Sequence, residues 1–68
     1  MPHLRIEIFE GRDAEKKQKL AEALTEAVCR TLEVKPDDVT ITIEEFKREN
    51  WAKGGRLFSD PAWPVKKS

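Results

Sequence analysis

The residues that could do chemistry together are Pro2, Arg12 and a set of aromatics that includes Phe9 and Trp51. Removal of Met1, usual when a small residue such as proline follows, would leave Pro2 as a secondary amine. Its pyrrolidine ring fixes φ, so that nitrogen would be rigid as well as titratable. Such a nitrogen is a candidate base or nucleophile. With Met1 in place the same atom is a peptide amide and has no basicity. Arg12 lies in the corner Glu10-Gly11-Arg12, just ahead of an expected helix. There it is either a surface loop arginine or a guanidinium that clamps a carboxylate through two parallel hydrogen bonds.

Other chemistries lack their residues. Gly54-Gly55 alone does not make a phosphate loop. His3 is the only histidine and Cys29 the only cysteine, too few for a structural zinc site and excluding an internal disulfide. No metal or cofactor is expected. Basic and acidic residues balance at 13 each, so no overall field favours nucleic acid or membrane. Neither a membrane-spanning run nor a signal-peptide core is evident, and a cytoplasmic location is the expectation.

The elements that must hold these residues follow from patterning. Leu4, Ile6 and Ile8 alternate with His3, Arg5, Glu7 and Phe9, which reads as a strand with one face on a core. Gly11 breaks it. Asp13 is a good N-cap for a helix running to about Glu33, with Leu20, Ala23, Leu24, Ala27, Val28, Thr31 and Leu32 as its apolar stripe. Cys29 falls away from the centre of that stripe. Lys35-Pro36-Asp37-Asp38 is a turn, and Val39 to Phe46 a second strand rich in β-branched residues. Strand, helix, strand predicts a right-handed βαβ unit with parallel strands. Beyond it, Lys47 to Asn50 reads as a loop, Gly54-Gly55 as a turn and Arg56-Leu57-Phe58 as a short strand or hairpin arm.

With 68 residues the chain forms one domain, residues 1–68, whose last stretch, about 61–68, is a tail. So small a unit needs a staple, and without disulfides or metal that staple is expected to be other chains. Trp63, between prolines, is expected to pack on a neighbouring subunit or stay loose.

Taken together, Met1-Pro2, the alternating strand, Glu10-Gly11-Arg12, the lysine-rich amphipathic helix, the second strand, Glu49-Asn50-Trp51 and Gly54-Gly55 resemble the 4-oxalocrotonate tautomerase family. The resemblance runs from Pro2 to about Asp60. It implies an α/β fold, a β-α-β tautomerase subunit whose sheet is completed by oligomerisation, usually as a hexamer built as a trimer of dimers. It implies a keto–enol tautomerase acting on a small 2-keto or enol carboxylate, with Pro2 as general base and Arg12 as carboxylate anchor. Trp51 and Phe9 would be pocket walls, and Arg12 and Trp51 could serve a Pro2 from a neighbouring chain. Thr40 stands where the best-studied members carry a second arginine, so smaller or monoacidic enols such as phenylenolpyruvate are favoured over a dicarboxylate. Phe9 and Lys53 occupy positions that the family's dehalogenases fill with arginine and glutamate, which disfavours dehalogenation. Proline-based decarboxylation and a non-catalytic oligomeric binding module are the alternatives.

Overall fold

A computed structural model describes residues 1–61; the expectations for Trp63 and the rest of the tail lie outside the described residues. Strand β1 spans His3–Phe9, helix α1 Ala14–Leu32 and strand β2 Thr40–Phe46. A hairpin of β3, Ala52–Lys53, and β4, Arg56–Leu57, follows. Short 3-10 turns, Pro36–Asp38 and Arg48–Asn50, stand before and after β2.

β1 and β2 pair in parallel, His3 opposite Thr40 and Phe9 opposite Phe46. This is the expected βαβ unit, because parallel neighbours need a crossover and α1 is that crossover. The strand alternation holds: Leu4, Ile6 and Ile8 are half-buried while His3, Arg5 and Glu7 are exposed. β2 begins at Thr40 rather than Val39. The Val39 N–H closes the preceding turn on the Pro36 carbonyl at 3.1 Å, so it cannot join the ladder.

Local chemistry sets the ends of α1. The Asp13 carboxylate accepts the Lys16 N–H at 2.9 Å, satisfying one of the donors that the first turn leaves without a partner. At the other end Glu33 takes a left-handed conformation, φ 58°, and its N–H closes on the Cys29 carbonyl. Gly11, at φ 129°, supplies the bend between β1 and α1. Gly54 and Gly55 both have positive φ, as a two-residue hairpin turn of type I′ requires.

The half-buried side of α1 is Lys17, Ala21, Leu24, Thr25, Ala27, Val28 and Cys29. It is rotated from the expected stripe. Ala23 and Thr31 are exposed, Leu32 is 57% exposed, and Cys29 belongs to the covered side. Two strands are only about 5 Å apart, whereas a helix with side chains is about 10 Å across, so the pair covers a narrow line of the helix. Lys17 reaches over that line to Glu45 at 3.0 Å. No described residue is fully buried, so the described part of one chain has no closed core.

Candidate functional site

Residues 3, 5, 7 and 9 of β1 and 40, 42, 44 and 46 of β2 share the sheet face opposite α1, by the period of two and the parallel register. This outer face carries the candidate residues, and it has two distinct ends.

At the start of the strands, Pro2 is half-buried and its carbonyl accepts the Thr40 N–H at 3.1 Å. The ladder therefore extends one residue beyond β1 and holds Pro2 in place. Thr40 Oγ1 lies 2.7 Å from His3 Nδ1, and Thr42 Oγ1 lies 3.4 Å from His3 Nε2. When Nδ1 carries the imidazole proton, the Thr40 hydroxyl keeps its own proton to donate elsewhere. Met1 is 85% exposed and makes the Pro2 nitrogen a peptide nitrogen in this chain.

At the far end of the strands, aromatics gather. Trp51 meets Phe9 at 4.8 Å between ring centroids, and Phe46 at 5.5 Å, edge to face in both cases. Phe58 joins with its centroid 5.1 Å from that of Phe9. The Phe58 N–H donates to the Trp51 carbonyl at 2.8 Å, so the hairpin itself ties these two residues together. Such offset and edge-on pairs are the favoured ring geometries. A groove of about 220 Å³ opens beside them, lined by Glu7, Phe46, Asn50, Trp51 and Ala52.

Cations border this cluster. Arg12 Nη1 donates to the Phe9 carbonyl at 2.9 Å, and the Arg48 guanidinium sits 4.3 Å from the centre of the Phe9 ring. Among the described residues neither arginine has a carboxylate partner. By contrast Arg5 pairs with Glu44 at 3.4 Å and Lys17 with Glu45. Glu44 and Glu45 point to opposite faces, which rules them out as an acid–base pair.

Pro2 and Thr40 are thus brought together, and so are Phe9 and Trp51, whereas Arg12 reaches the Phe9 carbonyl and lines a separate groove with Ile8, Lys16, Lys17 and Leu20. The two groups are not brought together within one chain. β1 has seven residues, and at about 3.3 Å each it separates them by about 20 Å. Phe46 was not singled out by sequence, although the register opposite Phe9 follows once both strands are aligned from their first residues. Arg48 was one cation among several, and no local pattern reveals its stacking on a residue of another element.

A family model described as tautomerase enzyme matches residues 2–61. A probable tautomerase of Halalkalibacterium halodurans is 33% identical over 60 residues, covering 88% of this chain and 98% of the relative. The 2-hydroxymuconate tautomerase of Bacillus subtilis is 35% identical over 60 residues, covering 88% and 97%. Among solved structures, a 4-oxalocrotonate tautomerase homologue superposes with a TM-score of 0.81 at 42% identity, covering 88% of this chain and 95% of the other. A heterohexamer 4-oxalocrotonate tautomerase from Chloroflexus aurantiacus gives 0.83 at 34% identity, covering 90% and 98%. Among the described residues no helix is long and apolar enough to cross a membrane.

Proposed function

The chain belongs to the tautomerase family, and from that premise we propose that it moves a proton on a small 2-keto or enol carboxylate, with Pro2 as the base once Met1 is removed. The observation that carries this reading is the anchoring of Pro2 by the Thr40 N–H. Loss of Met1 alone would then leave a positioned secondary amine at the head of a strand, where most termini would fray.

The proton transfer needs no cofactor. The neutral Pro2 nitrogen takes the enol hydroxyl proton, and the O–H electron pair becomes the carbonyl π bond. The C=C pair then takes a proton from the Pro2 ammonium at carbon, and the base is restored. Arg12 holds the substrate carboxylate with the donors that its bond to Phe9 leaves available. Phe9 and Trp51 wall the site, and Thr40 offers a neutral donor near the base. Placing a base and a carboxylate anchor around one substrate is a matter of position first and pKa second.

The separation along β1 supports a composite architecture for this site. Pro2 and Thr40 come from one chain, and Arg12, Phe9 and Trp51 from another. The absence of a closed core among the described residues supports assembly, and a hexamer fits the heterohexameric relative from Chloroflexus aurantiacus. The deciding experiment combines intact mass with turnover of phenylenolpyruvate. Active protein is expected to lack methionine, and active protein that retains Met1 would sink the proline mechanism.

A further inference from the structure

The base end of the outer face holds an uncharged cluster of its own. In the parallel register His3 lies opposite Thr40, and Arg5 opposite Thr42. Residues two apart on a strand share a face, so His3 has one hydroxyl across from it and a second diagonally ahead. Its ring meets both: Nδ1 lies 2.7 Å from Thr40 Oγ1, and Nε2 lies 3.4 Å from Thr42 Oγ1. The neighbouring charges engage each other, Arg5 with Glu44 at 3.4 Å, and no carboxylate pairs with His3 among the described residues. The position of the ring proton therefore decides what Thr40 can do. With the proton on Nε2, Nδ1 is an acceptor and takes the Thr40 O–H. With it on Nδ1, the ring donates to Thr40 Oγ1, Nε2 accepts from Thr42, and the Thr40 O–H is left to point elsewhere. The imidazolium, a donor at both nitrogens, has the same consequence for Thr40.

We propose that His3 is a positioning residue of this site: donating from Nδ1, it turns the Thr40 hydroxyl toward the substrate oxygen on which charge develops. The inference rests on the tautomerase reading for the reaction and on the His3–Thr40 contact for the positioning. The Thr40 N–H binds the Pro2 carbonyl at 3.1 Å, so the residue that anchors the base also presents the donor. Thr42, His3, Thr40 and substrate then form one line of hydrogen bonds, each polarised by the one before it. No proton changes owner along that line. Donors aimed in advance act where the oxygen is most negative, at the transition state, and cost no reorganisation there. A threonine hydroxyl by itself rotates freely between partners, and the ring removes that freedom.

The test is a double-mutant cycle on turnover of phenylenolpyruvate by Met1-free protein. His3→Phe keeps a planar ring and removes both nitrogens. It is expected to lower kcat about five- to tenfold, the worth of one neutral hydrogen bond. KM should stay within about twofold, because in this reading Arg12 holds the carboxylate. Thr40→Val should cost at least as much, and adding His3→Phe to it should cost nothing further. His3→Asn, whose amide N–H stands near the place of Nδ1, should recover most of the rate. An unchanged kcat in His3→Phe, or losses that multiply in the double variant, overturns the proposal. Sedimentation checks that each variant keeps the wild-type assembly; should His3→Phe fail to assemble, His3→Leu is read by the same cycle. Nitrogen NMR of His3 in wild type saturated with phenylpyruvate reads the ring without turnover. The proton is expected at Nδ1, and a bare Nδ1 overturns the proposal. Wild type that shows this proton but turns over no enol would defeat the tautomerase reading and leave His3 and Thr40 paired as proposed. Full turnover with an unchanged kcat in His3→Phe would do the reverse.

Discussion

The Thr40 N–H donates to the Pro2 carbonyl at 3.1 Å, one step beyond the last residue pair of the parallel ladder. A proline has no N–H to offer that ladder, so its carbonyl is the only main-chain group that can be held there. Pro2→Ala keeps this carbonyl and removes the ring. It is expected to lower turnover of phenylenolpyruvate by about a hundredfold or more, the usual scale for a general base, with sedimentation unchanged. Equal rates in the two proteins would favour a non-catalytic module.

Turnover should rise with pH. In the proposed mechanism the neutral amine is the working form, so protonation at low pH would remove activity and deprotonation would restore it. An ordinary terminal amine titrates at about 8, and cations close to Pro2 in the assembled site would favour its neutral form and move the rise to lower pH. Direct NMR titration of the Pro2 nitrogen in Met1-free protein should follow the kinetic curve. A kinetic rise that does not track this nitrogen would assign the base elsewhere.

Arg12→Ala should reduce kcat/KM by about ten- to a hundredfold, the range for a lost charge-assisted contact. Both KM and kcat are expected to suffer, because the carboxylate is held before and during proton transfer. The side chain is exposed, so the thermal midpoint should hardly move. Kinetics identical to wild type would take Arg12 out of the site.

Two impaired variants should rescue each other. Coexpressed Pro2→Ala and Arg12→Ala chains can form mixed assemblies in which an intact Pro2 from one chain meets an intact Arg12 from the other. Activity above the sum of the separate variants is expected. Mixed assemblies, verified by mass, that stay inactive would argue for a site closed within one chain.

Asp13→Ala tests the fold alone. Loss of the carboxylate from the Lys16 N–H should cost about 1 kcal/mol, read as a lower urea midpoint at fixed protein concentration. The concentration must be held because the proposed assembly would contribute to stability.

Much of the framework was legible in sequence because it is local. Alternation at Leu4, Ile6 and Ile8, the Asp13 cap and the paired glycines each act within a few residues. The apolar stripe of α1 misled because one chain's two strands cover only part of it; in the proposed assembly other chains would cover the rest, which would account for Leu32 being apolar and yet 57% exposed here. Val39 was drawn into β2 by its β-branched side chain, although its N–H serves the turn. For the site, residue type pointed to Pro2, Arg12, Phe9, Trp51 and Thr40. Which of them are neighbours depends on parallel register and on the hairpin folding back, and these are non-local. The stacking of Arg48 on Phe9 was not legible for the same reason, since the ring lies 39 positions earlier in the chain.

The length of β1 also bears on how such a chain can diverge. With the proposed base and anchor at opposite ends of one strand, a duplicated gene could let one copy lose its proline and the other its arginine. A mixed assembly would still hold working sites, while neither copy could work alone. Division of labour between sister genes would then begin with two ordinary losses, and each copy would preserve the other from that point on.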